Sequence, residues 1–253
     1  MAIPLRKLQE IEKLRTANNI VAKTLNYLAK TVKAGMTLKE VDIIAEKYIV
    51  DLGARPSFKG LYGFPGAICL SLNEVIIHGI PSEIVLKDGD ILGIDIGTEI
   101  DGWYGDAAIT MPIGKISQKD EELIACAKDS LYHAISSIKE GMRFKELSYE
   151  IEKFIVNRGY QPLVKFCGHG IGRKPHEEPE IPNYLENGTP KSGPKIKNGM
   201  VFCIEPMICQ KEEEPVILAN GWDVVSADGL RGSHYEHTVA IINGKAEILS
   251  ISE

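Results

Sequence analysis

Four carboxylates in this sequence stand where carboxylates are not expected. Asp95 lies in DILGIDIG, Asp106 in WYGDAAITM, Glu205 in VFCIEPM and Glu236 in HYEHTVAII, each inside an apolar, strand-like run. Aspartate is disfavoured in strands, and the neighbours are too apolar for a pair on a solvent-facing hairpin. Between Asp95 and Asp106, Asp101-Gly102 is a hairpin turn signal. A two-residue Asp-Gly loop sets Asp95 opposite Ala108, with Asp106 diagonal to it. A register one residue earlier pairs Asp95 and Asp106 directly. Either way the two carboxylates share a face and lie within reach of each other. Four carboxylates in one apolar pocket cannot all remain bare anions, because desolvation and repulsion would protonate some of them. Two divalent cations would neutralise all four. Oxygen and imidazole donors suit Mn, Fe, Co or Zn, and two such ions about 4 Å apart can clamp a tetrahedral intermediate. A neutral histidine is the natural further ligand. His169 in FCGHGIGRKPHEEP (166–179) is the candidate, because glycines on both sides let its backbone approach the ions.

The elements that must position these groups repeat. Residues 33–56 (KAGMTLKEVDIIAEKYIVDLGARP) and 139–162 (KEGMRFKELSYEIEKFIVNRGYQP) agree at 11 of 24 positions. A second echo follows each copy: LKDGDILGID (86–95) and IKNGMVFCIE (196–205). Glu205 thereby falls at the position equivalent to Asp95. Two echoes in the same order imply two equivalent halves, about 1–113 and 114–253, related by a pseudo-twofold axis on which the carboxylates converge. Helical spacing covers 6–33. Thr37-x-x-Glu40 is a capping box opening a helix over about 37–52, and Ser117-x-x-Asp120 opens one over about 118–140. A fourth covers about 143–158. Strands are expected around 67–78, 90–97, 103–112, 200–210 and 235–250. Residues 180–199 are rich in Pro, Gly, Asn and Lys and read as a surface loop. Helices then strands, twice, predict an α+β fold, two sheets forming one core with helices outside. No linker interrupts 1–253, so one domain is expected.

The bulk numbers exclude several classes. The net charge of −6 argues against an electrostatic nucleic-acid binder. The N-terminus lacks the apolar run of a signal peptide, and no run approaches the ~18 residues that span a bilayer. Five cysteines without C-x-x-C spacing argue against a disulfide framework or a cysteine-only zinc site and suit a reducing cytoplasm. Each reads most simply as a small apolar filler.

SLNEVIIHGIP (71–81), GIDIG with DGWYGDAAIT (93–110), FCGHGIGRKPHEEP, FCIEPM (202–207) and GSHYEHT (232–238) together resemble the type I methionine aminopeptidases in their short bacterial form, over roughly 1–250. The resemblance implies the pita-bread fold, two halves about a pseudo-twofold, in agreement with the duplication. It implies that Asp95 chelates one metal, Asp106 and Glu236 bridge both, and His169 and Glu205 complete the other. Glu205 would also relay protons. His78 and His176 match histidines that contact the substrate amide and the developing intermediate. Phe58, Leu61, Phe64, Cys69 and Trp222 match the methionine pocket, although Phe58, Leu61 and Pro175 depart from the common bacterial residues. A monovalent-cation site of backbone carbonyls falls near Asn73, Val75 and Gly232. The implied activity is removal of the initiator methionine from nascent chains whose second residue is small. Transient ribosome association and a monomeric state are implied; no membrane or specific nucleic acid is. His234 and His237 read as supporting or surface residues, and Glu177 and Glu178 as solvated charges. The alternatives are a proline-specific aminopeptidase or prolidase of the same fold, and a non-catalytic binding module. The first usually carries a further N-terminal domain; the second typically loses metal ligands.

Overall fold

In the computed structural model, which describes residues 2–252, Thr37 and Ser117 both cap helices. Thr37 Oγ1 accepts from the Glu40 amide at 3.1 Å, and the Glu40 carboxylate accepts from the Thr37 amide at 2.7 Å. Ser117 Oγ accepts from the Asp120 amide at 3.2 Å. The helices are α1 (Leu8–Thr31), α2 (Leu38–Asp51), α3 (Gln118–Ser137) and α4 (Phe144–Val156), all within three residues of the expected bounds. None of the described helices is long and apolar enough to cross a membrane.

The first half supplies strands β1 (Arg55–Pro56), β2 (Cys69–Leu72), β3 (Val75–Ile77), β4 (Ile91–Ile100) and β5 (Trp103–Pro112). The second supplies β6 (Gln161–Pro162), β7 (Cys167–Gly170), β8 (Glu177–Pro182), β9 (Val201–Ile204), β10 (Met207–Cys209), β11 (Pro215–Ile217), β12 (Val224–Ser226), β13 (Ser233–His234), β14 (Glu236–Ile242) and β15 (Lys245–Ile248). Nine form one sheet in the order β1-β4-β5-β14-β9-β7-β8, with β2 also on β4 and β15 on β14. Two three-stranded sheets, β13-β10-β6 and β11-β12-β3, complete the β structure. The β5–β14 pair is the seam between the halves.

The β4–β5 hairpin turns at Asp101 (φ 54°) and Gly102 (φ 75°), the left-handed pair that a two-residue primed turn needs. Asp95 therefore faces Ala108 and Asp106 faces Gly97; the direct Asp95–Asp106 pairing does not occur. Three expected segments are subdivided. Residues 67–78 break at Asn73 (φ 54°), whose side chain donates to Asp90 at 2.9 Å and accepts from the Ile91 amide at 3.1 Å. Residues 200–210 break after Glu205, where Pro206 has no amide hydrogen to give a ladder. Residues 235–250 form a hairpin, turning at Asn243 and Gly244 (φ 51° and 76°). The expected loop at 180–199 is shorter, because residues 180–182 belong to β8.

The duplication is visible bond by bond. Gly35 N donates to Leu86 O at 2.8 Å and Gly141 N to Ile196 O at 2.9 Å. Leu86 N donates to Met36 O at 2.8 Å and Ile196 N to Met142 O at 2.7 Å. Each half packs helices against its own strands, and α1 also reaches the second half, where Ile11 and Leu14 cluster with Val201, Cys203 and Ala240. Val21, Leu25, Leu28, Val41 and Ile49 meet Leu92, Ile94 and Ile96 in one cluster; Leu123, Leu131, Leu147 and Ile151 meet Phe202, Ile204, Val239 and Ile241 in the other. A methyl group at Gly105 would lie 2.7 Å from the Ala17 backbone, so glycine there lets α1 settle directly on β5. The result is the α+β pita-bread arrangement, a curled antiparallel sheet with helices outside.

Candidate active site

The register of five neighbouring strands brings the acidic groups together. Asp95 on β4 and Glu236 on β14 both pair with Ala108, on opposite edges of β5. Asp106 lies two residues from Ala108, on the same face. From the other side, Cys203 on β9 pairs with Thr238, two residues along from Glu236, and Glu205 follows at the end of β9. His169 comes from β7, beyond β9. The glycines beside it have a steric reason: a Cβ at Gly168 would lie 2.4 Å from Cys203 O, and one at Gly170 2.1 Å from Glu178 O.

His169 Nδ1–H donates to Gly170 O at 3.0 Å. This fixes the tautomer and leaves the Nε2 lone pair free. Nε2 lies 3.5 Å from Glu205 Oε1 and 4.0 Å from Asp106 Oδ2. Ligand atoms of Asp106, His169, Cys203 and Glu236 all fall within 4.8 Å of one another. Backbone groups of the acidic residues are held in turn. Asp106 N donates to Asn18 Oδ1 at 3.2 Å, Thr238 Oγ1 donates to Asp106 O at 2.7 Å, and Asn183 Nδ2 donates to Glu205 O at 2.9 Å.

Asp95 Oδ1, Asp106 Oδ1 and Glu236 Oε1 are buried without a hydrogen-bond partner. Such atoms are costly unless a bound group satisfies them, and divalent cations fit these oxygens and the His169 lone pair. Burial is the main reason the carboxyl pKa values rise. Asp95 is pushed up to about 7. Asp106, Glu205 and Glu236 are raised well above the usual range by burial and then by neighbouring carboxylates. Burial, and next His176, lowers His169 to about 3, so it is a neutral donor at physiological pH. Cys203 was read as filler, yet its thiol stands among the donors. Burial, reinforced by Glu236 and Asp106, raises its pKa well above the thiol range, which makes it a poor anionic ligand.

A cleft of about 670 Å³ opens over this cluster. Phe58, Phe64 and Cys69 form one wall with Leu61, Trp222 and Ile80. Phe64 and Trp222 meet edge to face with centroids 5.0 Å apart. Cys69 pairs with Asp95 across β2 and β4, so the apolar wall adjoins the acidic centre. Sequence reasoning missed Ile80, although it follows His78 by only two residues. Ile80 N donates to Asp223 Oδ1 at 2.9 Å, tying the His78 segment to Trp222. His78 sits at φ 59°, its ring edge-on to Phe166 with centroids 5.6 Å apart. Burial and then His176 lower its pKa to about 4. His176 stands on the rim, its ring 4.4 Å from that of His169, and burial lowers its pKa too. Tyr62 lies nearly parallel to it, centroids 6.1 Å apart, while Pro175 is absent from the described cleft lining.

For two further histidines one of the expected places is selected, and for Glu177 the expectation is corrected. His234 is buried, with Nε2 3.8 Å from Glu205 Oε2. His237 is buried between Ser250 Oγ at 2.8 Å and the Tyr132 hydroxyl at 3.1 Å. Both are supporting residues, the first of the two places expected for them. Glu177 is not a solvated charge: its side chain is 12% exposed and ion-paired with Arg6. Asn73 and Gly232 do meet, the Gly232 amide donating to Asn73 O at 3.2 Å, and Val75 opens β3 beside them.

Comparison with known proteins agrees with this geometry. The profile of metallopeptidase family M24 matches residues 12–243. A methionine aminopeptidase of Helicobacter pylori is 60% identical over 251 residues, covering 99% of each chain. Methionine aminopeptidase 1 of Bacillus subtilis is 43% identical over 96% of each. The crystal structure of the Thermotoga maritima methionine aminopeptidase superposes with a TM-score of 0.95 at 36% identity, covering 99% of this chain and all of that one. The prolidase of Pyrococcus furiosus reaches 0.80 at 25% identity, and only 66% of its chain is matched. By sequence over its full length, by fold and by the buried donor cluster, this chain belongs to metallopeptidase family M24.

Proposed function

We propose that the chain is a methionine aminopeptidase, a metal-dependent exopeptidase that removes the initiator methionine when the second residue is small. The observation that carries this is the buried acidic cluster opening directly onto the apolar wall of Phe58, Phe64, Cys69 and Trp222. That wall suits an unbranched thioether, and full-length similarity to methionine aminopeptidases supports the same reading.

Asp95, Asp106, His169, Glu205 and Glu236 would hold two divalent ions drawn from Mn, Fe, Co or Zn. Bound there, the ions would neutralise the carboxylates, polarise the scissile carbonyl and activate water. Asp106 and Glu236 stand diagonally across the seam, Glu236 opposite Ala108, and would serve both ions; Asp95 lies on the first-half side, His169 and Glu205 on the second. Glu205 takes the proton of the attacking water and returns it to the leaving amine. His78 and His176, both held neutral, donate to the substrate amide and the developing oxyanion without adding positive charge beside the ions. A free α-amino group would bind at the acidic residues or the ions they hold, which accounts for exopeptidase action. The carbonyls of Asn73, Val75 and Gly232 would take a monovalent cation.

The substrates are N-termini of nascent polypeptides, met by a single-domain monomer in the cytoplasm near the ribosome. Whether the chain's own Met1-Ala2 bond fits the same rule lies outside the described residues. The test is the relative kcat/KM on Met-Ala-Ser and on an Ala-Pro peptide after reconstitution with Mn, Fe, Co or Zn in turn. Preference for Met-Ala-Ser is expected with at least one of them; faster X-Pro cleavage would overturn the reading.

A further inference from the structure

Residues 2–7 run across the rim of the cleft, where Ala2 and Pro4 line it. They are fastened at Arg6. Arg6 N donates to Gly199 O at 2.7 Å. Gly199 adopts φ +83°, and a Cβ there would lie 2.8 Å from Arg6 O. The guanidinium of Arg6 runs beneath Gly172, where a Cβ would come within 2.1 Å of Nη2. It ends on Glu177 Oε2. Both side chains are 12% exposed. Two glycines thus leave room for one arginine.

Glu177 directly follows His176, and its other oxygen closes the turn that leads into it. Oε1 accepts from the Arg173 amide at 2.8 Å and the Lys174 amide at 3.2 Å. The turn is docked on the other half of the molecule. Tyr104 N donates to Gly172 O at 3.1 Å. Arg173 Nη1 donates to Asp101 O and Gly102 O, each at 3.2 Å, and its guanidinium lies 4.1 Å from the centroid of Trp103. Among the described residues, Glu177 supplies the ion pair that joins the turn to residues 2–7, through the charge on Arg6, whose guanidinium also packs beneath Gly172.

We infer that Arg6 is a positioning residue for His176: through Glu177 it fixes the turn that presents the imidazole to substrate. The inference rests on the substrate-contacting role proposed for His176. Removing the guanidinium leaves the Glu177 carboxylate buried without its counter-charge, a situation that proteins relieve by rearrangement. The carboxylate then swings toward solvent, the two amides lose their acceptor, and His176 is no longer held over the reacting amide. Misplacement of a contact by about 1 Å costs up to roughly a hundredfold in rate.

The test is a double-mutant cycle with Met-Ala-Ser as substrate. Arg6→Met is expected to lower kcat about tenfold, with KM within threefold and metal content unchanged. Arg6→Lys should recover at least half of the loss. In a His176→Ala background the same Arg6→Met change should cost less than twofold. A repeated tenfold loss in that background, or an unchanged kcat in the parent, overturns the inference. If Arg6→Met does not fold, Glu177→Gln is carried through the same cycle with the same outcomes, because its single amide oxygen can accept from Arg6 or from the two turn amides but not from both, which cuts the link at nearly constant volume. His176→Ala with full kcat would sink the role of His176 and the inference with it. A costly His176→Ala beside an additive Arg6→Met would sink the inference alone.

Discussion

Loading the acidic centre with metal should expel protons, and the expulsion should depend on pH in a defined direction. Burial raises the pKa of Asp95 to about 7, and its three acidic neighbours are raised as well. The metal-free fold therefore binds protons that the metal-bound site must lose. Taking Asp95 alone, about 0.9 of a proton is released at pH 6 and about 0.1 at pH 8. Competition from that proton weakens apparent binding about tenfold at pH 6 relative to pH 8, close to 1.4 kcal/mol. Affinity thus rises with pH. His169, already neutral above about pH 4 because its pKa is lowered to about 3, adds nothing to the effect. The three other carboxyls act in the same direction, so these figures are lower bounds. Calorimetric titration of chelator-treated protein with Mn(II), in buffers of different ionisation enthalpy, reads the release directly. The Asp95→Asn variant should release about 0.9 of a proton fewer than the parent at pH 6 and nearly as many at pH 8. Proton-neutral binding at pH 6 would refute the reasoning, as would an unchanged release in Asp95→Asn that disappears in His169→Ala.

Replacing His169 by Ala should weaken binding of one of the two ions by at least roughly tenfold, seen as lowered occupancy by elemental analysis; wild-type stoichiometry with full activity would remove it from the ligand set. Glu205→Gln should lower kcat by about 10²–10⁴-fold while KM moves little, and an unchanged kcat would end the proton-relay role. Gly97→Ala places a Cβ 2.2 Å from Ser57 Oγ and 2.4 Å from Phe58 Cε1. The Phe58 ring must then shift, which, if it walls the methionine pocket as proposed, should raise KM for Met-Ala-Ser and lower stability by about 1–3 kcal/mol, with metal content unaltered. Unchanged KM would place Phe58 outside the pocket wall.

The parts of the architecture that were legible in the sequence are those set by short-range chemistry. Thr37 and Ser117 announce their helices through bonds to residues three positions away, and Asp101-Gly102 fixes the register that puts Asp95 and Asp106 on one face. The internal repeat told more than any single motif, because it made Glu205 equivalent to Asp95 before any strand order was known. Features that depend on distant partners were hidden. Nothing near Glu177 indicates that Arg6, 171 residues away, will neutralise it. Cys203 looks like filler until β9 is laid against β14. His234 reads equally as a supporting or a surface residue until its strand turns inward beside Glu205. The breaks at Asn73 and at Glu205-Pro206 carried local signals, but continuous apolar character outweighed them in a reading by hydrophobic runs.

The seam between β5 and β14 has a consequence for how the molecule assembles. Its ladder contains only the pairs Ala108 with Glu236 and Ala107 with His237. Closing it joins positions separated by 128 residues, at a chain-entropy cost of about 4 kcal/mol. So short a ladder with so long a closure is a late event on the folding pathway. Asp106 and Glu236 lie on either side of this seam, so ions held by both would act as a clasp between the two halves. Metal should then slow the opening of the seam more than the unravelling of either half, and amide exchange in β14 should be the first to reveal it.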